Sequence, residues 1–285
     1  MRALALALLF PPMAYAIDVQ GHRGARGLLP ENTLPAFARA LELGVTTLEL
    51  DTGVTRDAVV VVHHDRRLNP DIARGPDGRW IDAPGPAIHS LTFEELQRYD
   101  VGRLRPGSAY AQRFPHQQAV DGARIPALKD LFSLTEKNKA IRFNIETKIS
   151  PEAPRETLAP GPFARALVAE IRKAGVAART TIQSFDWRTL RIVEHEAPEI
   201  ATVYLTEGRD STPERVARAG GKIWSPDFSD LSAEKLAAAR ALGLQVVVWT
   251  VNQPADIERM LQARVDGLIS DYPDRVIEAL KRRKP

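Results

Sequence analysis

The chain has 285 residues, no cysteine and a formal net charge of +3. The lack of thiols excludes disulfides, cysteine nucleophiles, thiolate metal sites and a lipid-modified cysteine. The slight charge, with no stretch joining clustered basic side chains to regularly placed aromatics, argues against a nucleic-acid reader, and Lys281-Arg282-Arg283-Lys284 reads as a solvated tail.

At the N-terminus, Met1 to Ala16 carries Arg2, an apolar core from Ala3 to Phe10 and the small-x-small triplet Ala14-Tyr15-Ala16. This pattern predicts a signal peptide cleaved after Ala16, and a periplasmic or secreted protein. No later segment reaches roughly 18 uninterrupted apolar residues, so stable membrane insertion is not expected. Residues 17–285 then form one expected domain, close to the roughly 250 residues of an eightfold β/α barrel with a modest insertion.

Eight β-rich runs follow: Asp18 to His22, Thr46 to Asp51, Ile141 to Thr147, Thr180 to Ser184, Ile200 to Leu205, Lys222 to Ser225, Gln245 to Thr250 and Asp266 to Ser270. Between them lie helical periods such as Ala164, Leu167, Val168 and Ile171, or Ile257, Met260 and Leu261. Gly44, Gly175 and Gly243 each sit between a helical pattern and a strand, where a residue tolerant of positive φ ends a helix. Strict alternation predicts a parallel sheet, and eight repeats favour a single closed (β/α)8 TIM barrel over an open doubly wound sheet. The absence of a glycine-rich phosphate loop after the first strand also weighs against the open sheet.

After the second strand region, about 66–124 interrupts the alternation with Pro70, Gly75, Pro76, Gly78, Pro84, Gly85 and Pro86. It reads as an inserted excursion over one barrel face. Within it, Leu91 to Arg98 predicts a short helix capped by Thr92, with Glu94 and Glu95 in its first turn.

Chemistry concentrates where strands end. Leu48 and Leu50 alternate with Glu49 and Asp51, so the leucines share one face and the carboxylates the other. If the leucines meet the helices, the acids point into the barrel, where two buried like charges need a cation or a proton. The next strand repeats the pattern, setting Asn144, Glu146 and Lys148 against Ile145. Three carboxylates without cysteine describe a hard-oxygen site for one divalent metal, Mg²⁺ or Ca²⁺; a buried ionic layer is the plainer alternative. His22 ends the first strand and His63-His64 follow the extended run Ala58 to Val62. Adjacent strand residues face opposite ways, so only one of that pair can enter the mouth, where imidazoles supply an acid and a base near neutral pH. Arg23 suits a phosphate fork or a salt bridge equally.

His22-Arg23-Gly24, Pro30-Glu31-Asn32-Thr33, Phe37, Glu49-Leu50-Asp51, Thr55-Arg56-Asp57, His64-Asp65 and Glu146-Thr147-Lys148 resemble, in order and spacing, the motifs of the glycerophosphodiester phosphodiesterase family. The likeness continues through Leu91-Thr92 with Glu95-Leu96, Gln183-Ser184-Phe185, Trp249-Thr250-Val251-Asn252 and Asp266-Gly267 with Asp271 and Pro273. Ala58 stands where a glycine often follows the threonine-x-aspartate motif. The resemblance implies hydrolysis of glycerophosphodiesters to sn-glycerol 3-phosphate and an alcohol. It further implies Glu49, Asp51 and Glu146 as metal ligands, and His22 and His64, the latter preferred to a rim-lining His63, as proton-transfer groups. Arg23 and Lys148 would steady the phosphate, while Glu31 and Asp65 support these groups from behind. Trp249 would wall the glycerol or alcohol, or pack the barrel, and Gln183 would add a polar contact. Attack by water and attack by the neighbouring glycerol hydroxyl are both compatible with these residues.

Two other functions compete. A phospholipase of the same barrel needs a membrane-seeking rim, whereas the excursion has only scattered aromatics: Trp80, Tyr99, Tyr110 and Phe114. A protein that captures phosphodiesters without cleaving them has no need of two titrating histidines beside three acids. The expected partner is a small-molecule glycerophosphodiester, and the pattern carries no sign of oligomeric state.

Overall fold

The structure, a computed structural model, describes residues 17–283. The expected signal peptide and the last two residues of the chain, Lys284 and Pro285, lie outside that range.

Among the described residues nine strands form the sheet: β1 (Asp18–Gly21), β2 (Thr47–Val54), β3 (Val60–Val62), β4 (Arg142–Thr147), β5 (Thr180–Ser184), β6 (Ala201–Thr206), β7 (Ile223–Pro226), β8 (Gln245–Val248) and β9 (Gly267–Ser270). Eight are parallel in the order β1-β9-β8-β7-β6-β5-β4-β2, and pairing of β1 with β2 closes the ring. Closure excludes the open doubly wound sheet. The fold is a single (β/α)8 TIM barrel, with its strand C-termini gathered at one mouth as in other barrels.

The helices around it are α1 (Leu34–Leu43), α2 (Phe93–Leu96), α3 (Ala109–Arg113), α4 (Leu128–Leu134), α5 (Pro160–Lys173), α6 (Trp187–Glu196), α7 (Pro213–Arg218), α8 (Ala233–Ala241), α9 (Pro254–Ala263) and α10 (Pro273–Arg282). Their ends follow local chemistry. Thr33 accepts the Ala36 N–H at the start of α1, and Gly44 at φ +90° stops it. Gly175 and Gly243 take φ +66° and +70° after α5 and α8.

Outward strand residues Leu48, Leu50, Ile145, Ile182 and Trp224 are fully buried against helix residues such as Phe37, Phe163 and Leu167. Shortening one of these leucines to alanine costs about 2–5 kcal/mol in such a core. Consequently Glu49 and Asp51 face inward. The interior below them is polar: Asn144 donates from Nδ2 to Gln20 Oε1 and Gln183 Oε1, each at 2.9 Å. Thr181 Oγ1 donates to Asn144 Oδ1 at 2.9 Å, and Gln183 Nε2 donates to Glu49 Oε1 at 2.6 Å. This amide ladder pairs the barrel's own polar atoms.

The second strand outruns its predicted end. Beyond Asp51 it continues to Val54 and turns back, so that the run expected to be merely extended becomes β3, antiparallel to β2 with Thr52 opposite Val62. Positive φ at Ala58 (+62°) makes the turn, with Thr55 Oγ1 accepting the Val59 N–H. The excursion then builds a small apolar cluster of its own from Val61, Leu68, Ala73, Ile88, Leu96, Val101 and Ile125. Within it, α2 starts with a reciprocal cap in which Thr92 accepts from the Glu95 N–H and Glu95 accepts from the Thr92 N–H.

Candidate active site

A pocket of about 390 Å³ opens over the strand ends. Its floor is acidic. Asp51 and Glu146 are register partners on β2 and β4, Glu49 lies one inward step below Asp51, and ligand oxygens of the three acids fall within 4.8 Å of one another. All three are buried. Burial and the neighbouring charges of Asp51 and Glu146 push the Glu49 carboxyl well above the usual carboxylate range. Burial raises Glu146 as well, although Lys148 Nζ is 2.7 Å away. Burial works the same way on Asp51, but Arg23 and other nearby cations overcome it and hold that carboxyl low.

Asp51 Oδ1 is buried with no hydrogen-bond donor, and Lys148 Nζ is 3.8 Å away. An unsatisfied carboxylate oxygen in a cluster of three acids is a hard-oxygen donor set with a place for one divalent cation. The donor set fits Mg²⁺ or Ca²⁺ and has no soft ligand.

Both expected histidines line this pocket, and each is tied through Nδ1 to an aspartate. His22 Nδ1 is 2.6 Å from Asp271 Oδ1, and His64 Nδ1 is 2.7 Å from Asp65 Oδ1. Asp271 is itself clamped: Arg26 donates Nε at 2.8 Å and Nη2 at 3.1 Å, and Asn252 donates Nδ2 at 2.7 Å. Asn69 Nδ2 donates to Asp65 at 2.9 Å. With each aspartate held ionised, Nδ1 of each ring donates to its aspartate, which leaves Nε2 as the nitrogen able to exchange a proton. Burial, reinforced by the Arg26 guanidinium, lowers His22 to about 4, so the ring is neutral at pH 7. Its Nε2 is 3.8 Å from Glu49 Oε2.

Arg23 and Lys148 also line the pocket. Arg23 donates Nη1 to Glu31 at 2.7 Å, and its Nε is 3.1 Å from Asp51 Oδ2, close enough for an ion pair but off the hydrogen-bonding line. Its backbone N–H donates to Glu49 at 3.0 Å from a left-handed φ of +51°. Glu31 stands outside the acidic triad and orients Arg23. Gln183 lines the floor with its amide occupied by Glu49 and Asn144. Trp249 forms part of the wall, edge-on to Phe185 at 5.3 Å between ring centroids, with Nε1 donating to the Ser225 carbonyl. His63 departs from its expected place at the rim: it is buried and does not line the pocket, whereas His64, one residue on, does.

Sequence reasoning passed over several contributors. Asp271 belongs to a recognised motif, yet its pairing with His22 spans 249 residues and joins β9 to β1. Arg26 follows His22 by four residues without a periodic signal. Tyr110 comes from the excursion and donates its hydroxyl to Glu31, while Asn69, Arg113 and Phe185 complete the walls.

The glycerophosphoryl diester phosphodiesterase family profile matches residues 22–275. Over 265 residues the chain is 31% identical to a glycerophosphodiester phosphodiesterase of Caldanaerobacter subterraneus subsp. tengcongensis, covering 93% of this chain and 98% of that one. A crystal structure of a proposed glycerophosphoryl diester phosphodiesterase from Silicibacter pomeroyi matches with a TM-score of 0.87 at 36% identity, covering 93% of this chain and 94% of the other. A phosphodiesterase of Oleispira antarctica, solved with its product sn-glycerol-3-phosphate, shares the fold at TM-score 0.74 and 22% identity, with 93% and 96% covered. The likeness thus runs from His22 through the last barrel strand, and the chain belongs to the glycerophosphoryl diester phosphodiesterase family, a family of phosphoric diester hydrolases.

Proposed function

We propose that the protein hydrolyses glycerophosphodiesters to sn-glycerol 3-phosphate and an alcohol, by proton transfer through His22 and His64 on a phosphate held above Glu49, Asp51 and Glu146. The observation that carries this reading is the meeting of two aspartate-bound imidazoles and three clustered carboxylates in one pocket. One divalent cation, Mg²⁺ or Ca²⁺, on the three acids would neutralise non-bridging oxygens of the diester. Arg23 and Lys148 then contribute hydrogen bonds and positive charge to the same oxygens, from side chains already oriented by Glu31 and Glu146. His22 is neutral and buried, so it takes at Nε2 the proton of the attacking oxygen, either water directly or the neighbouring glycerol hydroxyl with water then opening the cyclic phosphate, and Asp271 stabilises the resulting imidazolium. His64, held by Asp65, delivers a proton to the departing alkoxide. Trp249 and Phe185 give the glycerol carbons an apolar surface.

The test uses purified protein and two diesters, glycerophosphoglycerol and glycerophosphocholine, with glycerol 3-phosphate as the readout. Chelation abolishes release, and Mg²⁺ or Ca²⁺ restores it. Replacing either histidine by alanine lowers kcat about 10²- to 10⁴-fold, the usual contribution of a positioned acid or base. Full activity in chelator, or in both histidine variants, would overturn the proposal.

A further inference from the structure

Among the described residues, four cationic side chains line the pocket: Arg23, Arg26, Arg113 and Lys148. Three are engaged by carboxylates, Arg23 by Glu31 and Asp51, Arg26 by Asp271, and Lys148 by Glu146. Arg113 has no carboxylate partner among the described residues. It is exposed at the end of α3, and its guanidinium lies over aromatic rings, 5.6 Å from the Tyr110 centroid and 5.7 Å from that of Phe114.

The support beneath Arg113 is firm for so short a helix. Tyr110 donates to buried Glu31, and Phe114 is buried with the Arg26 guanidinium 4.8 Å from its ring. The two rings also pack on each other at 5.6 Å. Phe114 and Tyr110 therefore tie α3 to the loop after β1, and Arg113 is carried to the pocket edge. The apolar wall comes from elsewhere on the barrel, with Phe185 after β5, Leu205 in β6 and Trp249 after β8. A diester seated on the acids thus has an apolar surface on one side and an unpaired positive charge on the other.

We infer that Arg113 selects the leaving alcohol, favouring glycerophosphodiesters whose head group carries its own anion, a carboxylate or a second phosphate. This rests on the hydrolysis proposed above and deepens it. A carboxylate gains a charge-assisted contact with a guanidinium that gives up no existing ion pair to make it. A cationic head group meets repulsion at the same place. Because Arg113 is exposed, the preference is modest and salt-sensitive.

Two esters of sn-glycerol 3-phosphate with near-identical shape test this, one with 3-hydroxypropanoate and one with 3-hydroxypropanamide. Wild type is expected to favour the carboxylate by about fivefold in kcat/KM, the upper range of an exposed ion pair. The ratio falls to about one in Arg113→Ala and inverts in Arg113→Glu, while Arg113→Lys keeps part of it. In wild type it also shrinks at 1 M salt. Each ratio is measured within one preparation, so a loss of folded protein cancels. Equal release of glycerol 3-phosphate from both esters by wild type, or an unchanged ratio in Arg113→Ala, overturns the role of Arg113 alone. No release from either ester overturns the hydrolysis on which it rests.

Discussion

Replacing Asp271 by asparagine isolates the group that sets the His22 tautomer. In the native protein the carboxylate accepts from His22 Nδ1 at 2.6 Å, leaving Nε2 free to take a proton. An asparagine is nearly isosteric, but its amide N–H donates to Nδ1 and drives the ring proton onto Nε2, removing the acceptor from the pocket. A charge-assisted hydrogen bond is worth roughly 1.5–3 kcal/mol, and tenfold corresponds to about 1.4 kcal/mol, so kcat falls about 10- to 100-fold. KM stays near its native value because Arg23 and Lys148 are untouched. The variant also loses stability. Burial works to raise the Asp271 pKa, but the charge of Arg26 and the hydrogen bonds from His22 and Arg26 depress it below its unfolded value. The contribution of Asp271 is therefore present above about pH 4 and lost as pH falls further. At neutral pH, asparagine leaves the Arg26 guanidinium short of its counter-charge, and a lowered melting temperature marks the change. The assay is glycerol 3-phosphate release well below that melting point. A variant with wild-type kcat would refute the assignment of His22 as proton acceptor.

Further outcomes follow from the acids and the core. Titrating Mg²⁺ or Ca²⁺ into chelated protein should raise the melting temperature, by about 2.7 kcal/mol in stability at a hundredfold excess over Kd; Glu146→Gln, by removing one of three carboxylates, should erase most of that rise. In chelator, Glu49→Gln should be more stable than wild type at pH 8, with the difference vanishing near pH 5. Here the sign is opposite to that of Asp271. The folded pKa lies above the unfolded one, so the acid favours folding while protonated, and that stability is lost as pH rises through the folded value. Equal denaturation midpoints at both pH values would contradict the electrostatic account of the triad. Tyr110→Phe should raise KM a few-fold with little effect on kcat, since it frees Glu31 and loosens Arg23 without touching either histidine.

The barrel was legible because its signals are local and repeated. Strand alternation placed Leu48 and Leu50 against the helices and turned Glu49 and Asp51 inward, and the same parity on β4 brought Glu146 level with Asp51. Glycines at helix ends carried the rest of the punctuation. The hairpin was harder to read, because Thr52-Gly53-Val54 has no alternation to separate it from a loop and its turn uses a non-glycine at positive φ. Pairings such as His22 with Asp271, or Tyr110 with Glu31, depend on ring closure and on where the excursion folds back. No spacing along the chain encodes them.

The site divides by origin in a way that bears on its chemistry. The three acids stand on two adjacent strands, and Glu49 is fixed from below by Gln183, whose amide is fixed in turn by Asn144, itself bonded to Gln20. That ladder runs through the barrel interior, so the relative position of the carboxylates is set by the sheet, the part of the fold least able to move. The groups proposed to transfer protons sit otherwise: His22 and His64 follow strand ends, and Asn69 and Tyr110, which bond Asp65 and Glu31, come from the excursion. A phosphate above the acids therefore meets a rigid floor and walls built largely from loops. Sequence change in the excursion can thus alter which alcohol is accepted while leaving the charge geometry under the phosphate intact.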